Sequence, residues 1–162
     1  MYKLTLAFLV FEDQVIMINR NKKPWMGCWN GVGGKVKQNE DQIAGVVREI
    51  EEETFIKKDD YDLEYKGILT WSIDKGKTTI EDIVYIYVGK LKKLDLEFPI
   101  KTREGILDLK KIDWVIDPNN IGVSHNLRDI LSYALFKDGK YHYHCIFDGN
   151  VLLSVDATLI EE

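Results

Sequence analysis

The run GKVKQNEDQIAGVVREIEEETFI, Gly34 through Ile56, decides how this chain reads. Gly34 is followed by five residues and Glu40, then by seven residues and Arg48-Glu49-Ile50, then by Glu52-Glu53. Ile43, Val46, Val47 and Ile50 have the spacing of one apolar helix face. The segment is therefore expected to be a helix, with Asn39 as its N-cap and Gln42 completing a capping box. Each helical residue turns roughly 100°, so Glu49, Glu52 and Glu53, at i, i+3 and i+4, share one wedge of surface. Like charges at those spacings destabilise a helix. A divalent cation would offset the repulsion, because hard oxygen ligands suit Mg²⁺, Mn²⁺ and Ca²⁺. A merely solvated acidic face normally interleaves Lys or Arg with Glu. Here no base stands between Glu49 and Thr54, and Arg48 is the one cation nearby. Gly45 inside the stripe costs about 1 kcal/mol relative to Ala, which points to close packing against a neighbouring strand.

The pattern Gly, five residues, Glu, seven residues, Arg-Glu-apolar-any-Glu-Glu-any-Gly-apolar resembles the Nudix box. Every fixed position matches but one: Phe55 stands where the family has Gly. The resemblance implies an α/β fold, the Nudix-type α/β/α sandwich with a mixed sheet, as one domain over 1–162 with the box at 34–56. It implies hydrolysis of nucleoside diphosphates linked to another group, with Mg²⁺ or Mn²⁺. Glu49, Glu52 and Glu53 would be metal ligands, joined by the Gly33 carbonyl, and Arg48 would orient a carboxylate. Glu52 and Glu53 are candidates for activating water. The family Gly would sit just past the helix end, where a positive φ suits it; Phe in that conformation costs about 1–2 kcal/mol. Either the helix ends differently here or the strain is tolerated.

A narrower resemblance lies just upstream. Trp29-Asn30-Gly31-Val32-Gly33-Gly34-Lys35 is similar to the loop entering the box in MutT-like oxidised purine nucleoside triphosphatases. Lys140 to Tyr143 through Ala157 to Leu159 is similar to their closing hairpin. This implies that Asn30 reads a purine edge, for which an amide offers both donors and an acceptor, and that Arg20 contacts phosphate. Lys35 is a second phosphate candidate. Glu104 is a candidate downstream ligand or base, against the alternative of an exposed loop Glu. Glu40 is expected to be structural or outer-shell. Trp25, Trp29 and Trp71 offer stacking faces, although core packing is the commoner fate of a Trp. The stretch 118–126 lacks the acidic pair those enzymes use against the base, leaving Asn119, Asn120 or Asn126 as substitutes.

Composition narrows the classes further. A chain of 162 residues with 45% hydrophobic content can bury a real core as one domain. Net charge is −5 and there is no basic patch, so a stable nucleic-acid complex is not expected. The partner that the Nudix resemblance implies is a nucleotide substrate, with no membrane. The apolar run Leu4 to Phe11 is too short to span a membrane and reads as a strand. Cys28 and Cys145 are too few for a disulfide framework, and reduced thiols suit a cytoplasmic protein. Oligomeric state is open between monomer and homodimer.

Strands are expected at Leu4–Phe11, Val15–Asn19, Leu63–Trp71, Ile80–Leu91, Tyr141–Phe147 and Val151–Leu159, with a second helix over Asn126–Phe136. Tyr85–Val88 and Tyr141–Phe147 could pair with another chain if they lie at a sheet edge. His142 and His144 share one strand face without a third ligand, which favours a structural role. The expected activity is pyrophosphohydrolysis of a nucleoside triphosphate, an oxidised purine such as 8-oxo-dGTP, to monophosphate and pyrophosphate. The rivals are another nucleoside diphosphate derivative, such as ADP-ribose or a dinucleoside polyphosphate, and a nucleotide-binding module that does not cleave.

Overall fold

The computed structural model describes residues 1–162. Its strands are β1 (Lys3–Phe11), β2 (Gln14–Arg20), β3 (Trp29–Asn30), β4 (Tyr61–Ile73), β5 (Thr78–Leu91), β6 (Ile100–Lys101), β7 (Gly105–Lys111), β8 (Lys140–Asp148) and β9 (Val151–Glu161). Its helices are α1 (Gln42–Thr54), α2 (Ile112–Val115) and α3 (Leu127–Phe136). The nine strands form one mixed sheet in the order β6-β7-β2-β1-β5-β4-β8-β9, with β3 also paired to β2. The β1–β5 and β4–β8 pairs are parallel and the others antiparallel.

Alternation along β1 explains the layering. Ala7 and Leu9 face one side, where they join Ile16, Ile18, Tyr87 and Leu107 beneath Val46 and Ile50 of α1. Phe8 faces the other, with Val15, Met17, Ile86 and Tyr143 beneath Leu127, Ile130 and Leu131 of α3. A strand covered on both faces is apolar at successive positions, and Ala7, Phe8 and Leu9 are all fully buried. This is the α/β/α sandwich.

Several sequence expectations change. The N-cap of α1 is Asp41, whose side chain accepts from the Ala44 N–H, and not Asn39. Both residues fit the pattern, but Asn39 lies in a turn one step before the Glu40 contacts that fix the chain path. Gly45 packs against the Val36 side chain and the Glu40 carboxylate of the preceding loop, not against a strand. Tyr85–Val88 and Tyr141–Phe147 are in interior strands; the sheet ends at the two-residue β6 on one side and at the long edge strand β9 on the other. That edge carries register shifts opposite Lys140/Tyr141 and Ile146/Phe147, and such bulges blunt an edge against further pairing. The strand β7 has no counterpart among the sequence expectations. Its apolar residues are few, and pairing with β2 over seven positions makes it a strand.

Candidate active site

The site begins with a turn that only glycine permits. Gly33 has φ 158°, and a Cβ there would collide with the Thr5 carbonyl of β1. At Gly34 a Cβ would lie 2.6 Å from the Glu49 carboxyl carbon. The two glycines let the backbone pass directly under α1. In that position the Gly33 N–H donates to Glu53 Oε2 at 3.2 Å. Its carbonyl is unassigned by any contact, so its proposed ligand role rests on the resemblance.

Arg48 organises the acidic wedge. Its Nη2 donates to Glu40 Oε1 at 2.7 Å, and its Nε lies 3.1 Å from Glu40 Oε2. Nη1 donates to Glu49 Oε1 at 2.9 Å and to Glu52 Oε2 at 3.1 Å. Nη2 also reaches the Lys35 carbonyl at 3.0 Å. The guanidinium thus ties the helix to the loop that precedes it. Its hydrogen bonds, with the Lys37 N–H second, hold Glu40 well below the usual carboxylate range, at about 2. Glu40 in turn raises the pKa of Arg48.

Glu49 and Glu53 are the strained pair. Burial, opposed by Arg48 and reinforced by Glu52 and Glu104, raises Glu49. Burial, then the charge of Glu49, pushes Glu53 up to about 8; the Gly33 N–H and Arg20 oppose the rise and Glu104 adds to it. Glu53 therefore feels both Glu104, from the loop before β7, and Arg20, at the end of β2, whereas Glu49 feels Glu104. Glu52 stays mostly exposed and leans on Arg48. No three carboxylate, imidazole or thiolate side chains are drawn together tightly enough to form a ready cation cage. The donor chemistry nonetheless fits a hard cation: carboxylate oxygens, half-buried and mutually repelling, gain from a positive charge among them.

The remaining candidates divide. Arg20 donates from Nε to the Pro24 carbonyl at 2.8 Å and from Nη2 toward that of Lys23. It clamps the loop 21–28 while staying electrostatically coupled to Glu53. That loop places Trp25 edge-on to His125, centroids 5.0 Å apart, and near Phe147; His125 was not singled out from the sequence, because nothing in its neighbours marks it. Asn30 turns its Oδ1 onto the Gly31 N–H at 2.8 Å, leaving its amide NH₂ free of protein partners. Lys35 is not brought to the site: its ammonium lies over the Tyr2 ring, 4.1 Å from the centroid. Asn126 is not available to a base either. It is buried at the start of α3, with its amide toward Cys145 Sγ at 3.8 Å. Trp29 and Trp71 pack against the α3-side core. His142 and His144 share the Thr70 hydroxyl, 2.7 Å from each. Both cysteines are free thiols.

A groove of about 430 Å³ lies elsewhere, between α1 and β4, lined by Ile43, Val47, Tyr61, Leu63, Tyr65 and Tyr87. It is set apart from the carboxylates. The site is an open, charged surface and not an apolar pocket. No helix is long and apolar enough to cross a membrane.

Comparison with known proteins agrees with this geometry. The NUDIX domain matches residues 1–125. A mutator MutT protein from Bacillus halodurans superposes with a TM-score of 0.78 at 27% identity, covering 97% of each chain. An ADP-ribose pyrophosphatase from Streptococcus suis shares the fold, with a TM-score of 0.55 at 17% identity over 91% of this chain and 98% of that one. The mRNA-decapping protein g5R of African swine fever virus is 29% identical over 102 residues, 62% of this chain; the match spans 42% of that protein's length. With the glycine turn, the Arg48-centred carboxylates and a family match over most of its length, this chain belongs to the NUDIX domain family.

Proposed function

We propose that the protein is a divalent-cation-dependent nucleoside triphosphate pyrophosphohydrolase acting on oxidised purine nucleotides such as 8-oxo-dGTP. The observation that carries this reading is the half-buried pair Glu49 and Glu53, set against Gly33 and Gly34 with Glu104 and Arg20 in electrostatic reach. Glu49, Glu52 and Glu53 would hold Mg²⁺ or Mn²⁺, which supplies charge neutralisation at the attacked phosphate. Glu53 is placed to take the proton of the attacking water, since a cation among these carboxylates would offset the burial that raises its pKa and keep it ionised. The new P–O bond forms as the bridging P–O bond breaks, giving monophosphate and pyrophosphate. Arg48 keeps Glu49 and Glu52 oriented, and Arg20 offers its remaining N–H to phosphate. The free NH₂ of Asn30 supports purine-edge recognition, and the likeness to a MutT protein over the whole chain supports a triphosphate substrate.

The viral relative supports a second reading, in which the cleaved phosphoanhydride belongs to an mRNA cap. The discriminating assay is kcat/KM with Mg²⁺ for ordinary dNTPs, 8-oxo-dGTP, 2-hydroxy-dATP, ADP-ribose, diadenosine polyphosphates and capped RNA. Preference for an oxidised purine supports the first reading. Equal or faster turnover of ADP-ribose or a dinucleoside polyphosphate would sink it.

A further inference from the structure

Glu104 stands on a built turn. Thr102 and Gly105 close a hairpin between β6 and β7, with Arg103 and Glu104 at its tip. The Thr102 N–H donates to the Gly105 carbonyl at 2.8 Å, and the Thr102 hydroxyl donates to the same oxygen at 2.9 Å. The antiparallel register that sets Arg20 opposite Gly105 brings Asn21, the first residue past β2, opposite Glu104. Asn21 fastens the tip twice. Its N–H donates to the Glu104 carbonyl at 3.1 Å, and its side-chain Nδ2 donates to the Arg103 carbonyl at 3.1 Å. The next residue, Lys22, sets its ammonium 4.0 Å from Glu104 Oε1. The preceding residue, Arg20, is the cation coupled to Glu53. Three consecutive residues therefore serve the acidic site: one through Glu53, one through the Glu104 backbone and one through the Glu104 carboxylate.

We propose that Asn21 is the positioning residue for Glu104, and that Lys22 is a phosphate-binding residue whose ammonium passes from Glu104 to the substrate's phosphate chain when the nucleotide binds. The inference rests on the nucleotide-hydrolase reading but not on the identity of the base. The Lys22–Glu104 pair suits an exchange. Its side chains are 60% and 37% exposed, and their separation is at the outer limit of an ion pair. Water and salt screen such a pair, so opening it costs little. A phosphate chain brings several negative charges and many acceptor oxygens, and it out-competes one carboxylate for the ammonium. Glu104, released in this way, adds an oxygen donor to those of Glu49 and Glu53, with which it is already in electrostatic reach. The turn need not move for this. Asn21 holds it at two successive carbonyls, so Glu104 reorients about its own side-chain bonds and starts from a fixed backbone.

Two double-mutant cycles test the two roles. The first reads binding, by calorimetric titration with inorganic pyrophosphate and Mg²⁺. Lys22→Met should weaken pyrophosphate about tenfold, the worth of one charge-assisted hydrogen bond. Glu104→Gln should tighten it by freeing Lys22, and that gain should vanish in the Lys22→Met background. A gain that persists there would be general charge repulsion and would overturn the exchange. So would wild-type affinity in Lys22→Met, or no binding by the wild-type protein. The second cycle reads kcat and KM with the nucleotide turned over best. Asn21→Leu should lower kcat about tenfold with KM little changed. In the Glu104→Gln background it should lower kcat no further. A full Asn21→Leu effect without the Glu104 carboxylate would mean a general structural role and overturn the positioning assignment. Normal wild-type turnover with either cycle additive sinks the proposal and leaves the hydrolase reading standing. No turnover of any nucleotide sinks that reading and the Asn21 role with it, while the pyrophosphate cycle still decides Lys22.

Discussion

Glu53 shows how one residue's burial sets both chemistry and stability. Its carboxyl titrates near 8 in the folded protein against a usual 4.5. The folded state therefore binds this proton more tightly than the unfolded state does. The stability it contributes is full below 4.5 and is lost as pH rises to about 8. Without divalent cation, the melting temperature should fall across that window; added Mg²⁺ should restore it at the alkaline end. Glu53→Gln should remove this part of the pH dependence and lower kcat by about 10²–10⁴-fold with the fold retained. A variant that keeps wild-type turnover would show that another carboxylate, with Glu104 the first alternative, takes the proton. Both readouts come from differential scanning fluorimetry and a pyrophosphate-release assay on the same samples.

At the scale of the element, α1 carries the site and its two ends are unlike. The N-terminus is capped by Asp41. Asp41→Ala should cost about 1 kcal/mol, while Asn39→Ala should be close to neutral; urea unfolding of the two variants distinguishes them. The C-terminus ends on Phe55 at φ 65°, its N–H bonded to the Glu51 carbonyl and its ring 66% exposed. The helix thus ends where the family's glycine would end it, and the phenylalanine bears the left-handed strain. Nothing packs on its ring tightly enough to repay that strain. Phe55→Gly is expected to stabilise the protein by up to about 1 kcal/mol, the relieved strain being partly offset by a freer unfolded chain. Thermal unfolding that showed destabilisation would mean that the Phe55 ring contributes more than its exposure suggests.

At the scale of the whole molecule, the sheet separates two cores and two kinds of surface. The α1-side core supports the carboxylates; the α3-side core supports the aromatic residues Trp29, Trp71 and Phe147. Tyr143 lies fully buried in the α3-side core, with a hydroxyl that has no hydrogen-bond partner, and burial raises its pKa far above the ordinary range. An unmade hydrogen bond of this kind is a cost without a return. Tyr143→Phe should therefore leave the fold intact and raise stability by about 1 kcal/mol in denaturant titration. A loss of stability would mean that the hydroxyl has a partner such as a bound water.

The box from Gly34 to Ile56 was legible in the sequence because its information is local. Fixed gaps, a 3.6-residue apolar stripe and an acidic wedge are properties of one helix and the turn before it. The two strands of β1 and β2 and the final hairpin were legible for the same reason. Local patterning did not separate Asp41 from Asn39 as the cap, since both side chains can accept the same kind of bond. It gave no sign of β7, whose pairing with β2 joins residues some ninety positions apart. Nor did it place Lys35 on Tyr2, turn Asn126 toward Cys145, or fasten the Glu104 turn to Asn21. Sequence alone determined the helix, its carboxylates and the family they belong to. The tertiary structure decided which side chains from distant strands meet them, because register and burial, not local propensity, choose a side chain's neighbours.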